Sequence, residues 1–147
     1  MRRKSRRQPT HPDLRRWYPA VAERAGHRCE YCRAPEPLFN RRFEVEHVIP
    51  RAREGKTRLD NLALCCSACN NRKGTFETGA DPVTQRIEPL FNPRTQRWGE
   101  HFRYRDDALT LVALTPIGRA TLARLDMNSD RQRNARRLWQ LHPELFP

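Results

Sequence analysis

Apolar residues first recur at helical spacing at Leu14, Trp17, Tyr18, Val21, Ala22 and Ala25, until Gly26 ends the run. Thr10, with Pro12 and Asp13 behind it, supplies a start signal, so the pattern predicts an amphipathic helix. Phe43, Val45, His47 and Ile49 then alternate with Glu44, Glu46 and Val48 as a short strand, which Pro50 closes because it cannot donate to a ladder. A polar, basic loop runs from Arg51 to Asp60, and Asn61 to Leu64 is too short for its period to type it. Ser67 to Lys73 reads as a helix stopped by Gly74, whereas Glu77 to Pro89, of mixed polarity and broken by prolines, reads as loop. Phe102 and Tyr104, the pair Asp106-Asp107, and the run Leu109 to Leu114 together predict a β-hairpin. Thr115-Pro116 gives an N-cap with proline at the first helical position; Ile117, Thr121, Leu122 and Leu125 continue that helix, and Asn128 or Ser129 opens a last one through Leu138 and Trp139.

The length of 147 residues fits one compact unit. Its expected parts are a basic arm over 1–9, a core over 10–89 and a C-terminal layer of hairpin and helices over 90–147, in an α+β fold. With 37% of residues hydrophobic against 31% charged, the core is thin for this length and calls for an additional staple. The formal net charge of +12, dominated by arginine, points to a polyanion, since guanidinium forks suit phosphate oxygens. No run approaches the roughly 18 apolar residues of a membrane span, and no apolar stretch follows the N-terminal Arg2, Arg3, Lys4, Arg6 and Arg7 as a secretory signal would require. The expectation is a soluble, cytoplasmic protein whose partner is nucleic acid, with neither a membrane nor a small molecule as its target. Oligomeric state, including a homodimer, is left open by the sequence.

Five cysteines in two close pairs plus one argue for metal in a reducing compartment over a disulfide framework. Cys29-x-x-Cys32 and Cys66-x-x-Cys69 form two knuckles whose thiolates can converge on one tetrahedral zinc ion. The 33 residues between Cys32 and Cys66 would then be clamped at their base, and chemistry is to be sought there. Cys65 could replace Cys66, but the two-residue spacing favours Cys66 and leaves Cys65 as a small buried hydrophobe. Associated with the clamp are Glu46 and His47, adjacent to one another, then Asn61, then Asn70 just after the last knuckle cysteine. Phosphodiester hydrolysis needs a base for water and a cation against the charge developing on phosphate. His47 can be that base, Glu46 a hard oxygen ligand, and Asn70 a second oxygen. Neighbours on an ideal strand point to opposite faces, so Glu46 and His47 meet on one phosphate only where the strand departs from regular geometry near Pro50.

Val45-Glu46-His47-Val48-Ile49-Pro50, Asn61-Leu62-Ala63-Leu64 and Cys66 to Gly74 together resemble the HNH endonuclease motif, in its cysteine-bearing branch. The runs Leu90 to Trp98 and Leu114 to Thr121 are similar to the tails of bacterial HNH proteins. The resemblance implies a zinc-stapled ββα-metal (His-Me finger) core, clamped over 29–74, preceded by the N-terminal helix. In it His47 is the general base, Asn61 fastens the loop that carries it, and Glu46 with Asn70 holds the catalytic ion. With Asn70 where the family commonly has histidine, the site resembles the HNN variant. Oxygen ligands suit Mg²⁺ or Mn²⁺ over softer metals. The implied activity is hydrolysis of DNA, duplex or branched, with Arg51, Arg53, Arg72 and Lys73, and Arg133 and Arg137 on the last helix, expected on phosphates. The rival reading, a zinc-stabilised nucleic-acid-binding module without catalysis, needs the cysteines and arginines but has no use for the acid, base and second oxygen donor. An RNA-cleaving nuclease would use the same site, because the chemistry reads the phosphate and not the sugar.

Overall fold

The computed structural model describes residues 13–145, so the basic arm and the helix start read at Thr10 lie outside the described residues. Asp13 accepts the backbone N–H of Arg15 at 3.0 Å, and a short 3₁₀ turn, Arg15–Trp17, leads into α1, Tyr18–Arg24. Proline at position 19 is tolerated there because first-turn N–H groups have no helical acceptor. The helix buries Val21 and Ala22, and Arg24 donates to the carbonyls of Leu59 and Leu62 at 2.7 and 2.5 Å, which ties it down on the strand that follows.

β1, Glu44–His47, pairs antiparallel with β2, Leu62–Cys65, in a register that sets Glu46 opposite Ala63 and His47 opposite Leu62. β2, which the period left untyped, is buried at every position. Directly after it comes α2, Ser67–Lys73, whose N-cap is Cys66, with its sulfur accepting from the Cys69 N–H at 3.5 Å; Gly74, at φ 51°, ends the helix. Two strands and a helix thus form the ββα unit that the resemblance implied, with the four knuckle cysteines buried beside it.

Residues expected as loop form a hairpin instead, with β3, Thr78–Ala80, antiparallel to β4, Ile87–Pro89. Its order comes from Asp81, fully buried in the turn, which accepts from the Val83 N–H at 2.9 Å and the Thr84 hydroxyl at 3.1 Å. Arg119 reaches the same carboxylate with two hydrogen bonds of 2.9 and 2.8 Å. Neither strand is long enough to show a period.

The short helix α3, Trp98–His101, precedes the anticipated hairpin of β5, Phe102–Tyr104, and β6, Leu111–Ala113. α4, Pro116–Arg124, and α5, Asp130–Trp139, open on Thr115 and Ser129, whose hydroxyls accept from the Gly118 and Gln132 N–H groups at 3.0 and 3.3 Å. Buried apolar residues from Val21 to Trp139 make one cluster, in which Phe91 meets the edges of Tyr31 and Phe102 at 6.4 and 5.6 Å between centroids. Trp98 stacks obliquely on Phe102 at 5.3 Å and donates its indole N–H to the Tyr31 carbonyl at 2.7 Å, so the C-terminal residues are fastened to the first cysteine knuckle. Arg136 of α5, 1% exposed, donates to the Leu109 and Met127 carbonyls and to the Asn128 side chain, with no carboxylate among the described residues paired to it. No helix among the described residues is long and apolar enough to cross a membrane.

Candidate active site

The four knuckle thiols are buried and their sulfur atoms all lie within 4.8 Å of one another, with Cys32 and Cys66 at 3.7 Å. Tetrahedral zinc with bonds of about 2.3 Å needs sulfur–sulfur edges of about 3.8 Å, so the donor set fits a structural zinc ion. Burial opposes a charge on Cys29, yet hydrogen bonds from Cys32, Cys65, Cys66 and Cys69 carry its pKa well below the ordinary thiol range, while the same contacts push Cys32 and Cys69 well above it; without an ion the cluster favours charge on one sulfur first. Cys65 is buried on β2 and outside the four-thiol set.

Alternation on β1 turns Glu44 and Glu46 toward α2, where Asn70 and Lys73, three residues apart, share the facing side. Two rungs result. Glu44 accepts a hydrogen bond from the Asn70 amide nitrogen, and Glu46 Oε2 pairs with the Lys73 ammonium at 3.2 Å. Since the nitrogen of Asn70 is turned to Glu44, its Oδ1 faces away from that carboxylate. Glu46 is 6% exposed, and its Oε1 accepts from the Tyr31 hydroxyl at 2.5 Å. Burial pushes its pKa up to about 6, against the pull of Lys73 and Tyr31.

The β1–β2 ladder runs regularly through His47, so Glu46 and His47 do leave opposite faces of the strand. They nevertheless border one cleft of about 1130 Å³, together with Asn70 and Glu44, because the strand ends there. His47 Nε2 lies 2.8 Å from the Thr57 hydroxyl, and the His47 carbonyl accepts from Lys73 at 3.2 Å. Asn61, 8% exposed, holds the intervening loop: its Oδ1 accepts from the Ile49 N–H at 2.8 Å, and its amide donates to the carbonyls of Ile49 and Lys56 at 3.0 and 2.9 Å. Gly55 closes the same loop so tightly that a Cβ would lie 1.7 Å from the Ile49 oxygen.

The family model of HNH endonucleases matches residues 29–76, the span from the first knuckle cysteine to just past α2. This segment belongs to the HNH endonuclease family. Over 67 residues, 45% of the chain, it is 36% identical to a CRISPR-associated endonuclease Cas9 of Corynebacterium diphtheriae, of which that match covers 6%. Over 86 residues, 57% of the chain, it is 27% identical to a Septu protein PtuB of Bacillus thuringiensis, 31% of which is covered. The chain therefore spans less than a third of either relative. No solved structure gives a significant match.

Around the HNH motif the cations divide. Arg51, on the exposed 3₁₀ turn Arg51–Arg53, lines the cleft, and Arg53 is exposed on the same turn. Lys73 is only 1% exposed and its charge is directed at Glu46, while Arg72 donates to the Leu125 and Asp126 carbonyls at 3.2 and 3.0 Å. Of the two side chains expected to grip phosphate beside Asn70, Lys73 is turned inward, and Arg72, still a third exposed, is engaged with the turn between α4 and α5. α5 adds no residue to the cleft lining, although Arg137 is exposed on it; Arg133 is half-buried. The cleft has cations that the motif does not announce: Arg15, Arg41 and Arg42, the last lying over the Tyr18 ring at 4.6 Å. Glu44 and Tyr31 were likewise missed. Glu44 had a signal in the sequence, its place two residues before Glu46 and therefore on the same strand face.

Proposed function

We propose that this HNH segment hydrolyses DNA phosphodiester bonds. The observation that carries the reading is the meeting of His47, Glu46 and Asn70 at one cleft, above a four-thiol staple and under a rim of arginines. His47 takes the proton of a water molecule, which attacks phosphorus as the bond to the leaving oxygen breaks. Asn61 keeps the loop beside that imidazole fixed through its three backbone hydrogen bonds. Arg15, Arg41, Arg42 and Arg51 hold the flanking phosphates of a duplex or branched substrate.

The donors are of the kind a hard divalent ion takes, because the Glu46 carboxylate and the amide oxygen of Asn70 border one cleft; Lys73, 3.2 Å from Glu46, would yield that carboxylate to the ion. Glu46 and Asn70 would hold Mg²⁺ or Mn²⁺, which when bound supplies positive charge against the anionic transition state. Relaxation of supercoiled plasmid in Mg²⁺ tests the proposal. Wild type should cut, and His47→Ala, matched for zinc content, should lose at least about a hundredfold in rate, the usual worth of a general base. Equal rates would remove His47 from the chemistry, and no cleavage by wild type of DNA or RNA would favour a binding module.

A further inference from the structure

Tyr31 lies between two zinc ligands, Cys29 and Cys32, and is fully buried. Its carbonyl accepts the Trp98 indole N–H at 2.7 Å and its ring meets the edge of Phe91, which fixes both its backbone and its plane. From that fixed base the hydroxyl reaches across to Glu46 and donates to Oε1 at 2.5 Å. The other oxygen of Glu46 faces Lys73 at 3.2 Å. A glutamate has three rotatable bonds, and a metal ligand must be held to within about 0.5 Å of its productive place. Lys73 reaches Glu46 along a flexible stem, whereas Tyr31 reaches it from a ring locked in the core. Resting on the reading of Glu46 as the divalent-ion carboxylate, we infer that Tyr31 is a positioning residue that ties this carboxylate to the zinc knuckle. The thiol clamp then does more than join the ends of the insert. It sets the position of a ligand of the second metal through one side chain.

Hydrogen-bond partners of a ligand commonly shift metal affinity by roughly 10- to 100-fold. Tyr31→Phe keeps the ring and its contact with Phe91 and removes the oxygen alone. The probe is Mn²⁺, titrated by electron paramagnetic resonance into wild type, Tyr31→Phe, Glu46→Gln and the double variant, each assayed for zinc. Tyr31→Phe should retain full zinc, bind Mn²⁺ roughly tenfold more weakly, and regain plasmid cleavage when Mg²⁺ is raised by a similar factor. In the Glu46→Gln background the same change should have no further effect, as a double-mutant cycle requires of two groups acting through one contact. Unchanged Mn²⁺ affinity in Tyr31→Phe would overturn the inference, as would an equal loss in both backgrounds. Loss of zinc would also overturn it, since the hydroxyl would then serve the knuckle. Wild-type Mn²⁺ affinity in Glu46→Gln would defeat the ligand assignment itself, a failure distinct from that of the tyrosine.

Discussion

Asn61 has more to lose by truncation than its size suggests. Its amide satisfies the Ile49 N–H and two loop carbonyls, and a hydrogen bond lost at such part-buried groups costs about 0.5–1.5 kcal/mol net. Asn61→Ala is therefore expected to lower unfolding stability by about 1–3 kcal/mol in urea, with zinc retained, and to slow cleavage more than this loss of fold explains. A variant as active and as stable as wild type would free the loop from that dependence. Asn61, like Glu46, His47 and Asn70, could be picked out from order and spacing around the cysteines. Glu44 showed only its strand face, two residues before Glu46, and not its partner Asn70, and Tyr31 showed nothing, because its hydroxyl meets Glu46 only once the first knuckle packs against β1. Lys73 was legible in part: three residues after Asn70, it had to share the face of α2 that Asn70 presents to the site, so its burial followed from helical period.

Elements with strong local signals were read correctly from the chain. The caps at Thr115 and Ser129 opened α4 and α5, and the aspartates between Tyr104 and Leu111 turned the hairpin of β5 and β6. The β3–β4 hairpin escaped because its order is tertiary, resting on Asp81 and on Arg119 of α4, a helix away in sequence. That dependence has a pH signature. Hydrogen bonds from Arg119 first, then from Val83 and Thr84, hold the Asp81 carboxyl below the usual carboxylate range despite its burial. A group whose folded pKa is depressed contributes stability that is full above its unfolded value, near pH 4, and lost as pH falls toward the folded one. The melting temperature should thus decline below about pH 4, and Asp81→Asn should start lower at neutral pH but decline less steeply. Parallel acid slopes in the two proteins would rule the pair out as a source of the effect.

On the scale of the whole molecule, the thin core anticipated from composition is one cluster reaching from α1 to α5, and the staple sits within it. Structural zinc contributes on the order of 10 kcal/mol to folding, so its removal by a strong chelator should abolish both the near-ultraviolet dichroism and most of the helical signal. A chelated protein with its native spectrum would show that the thiols hold no structural ion. The buried guanidinium of Arg136 makes the reach of that loss specific. Desolvation lowers its pKa, the Cys32 and Cys69 sulfurs act against that fall whenever they are charged, and among the described residues its hydrogen bonds go to neutral oxygens. A tetrathiolate zinc centre carries a formal charge of about −2, which is the counter-charge such an arginine needs. Protonating the sulfurs takes that counter-charge away from α5, a helix beyond the HNH motif. The final helix and the zinc site therefore share one fate on heating: calorimetry of the zinc-loaded protein should record a single endotherm, with α1 and α5 melting as one cooperative unit.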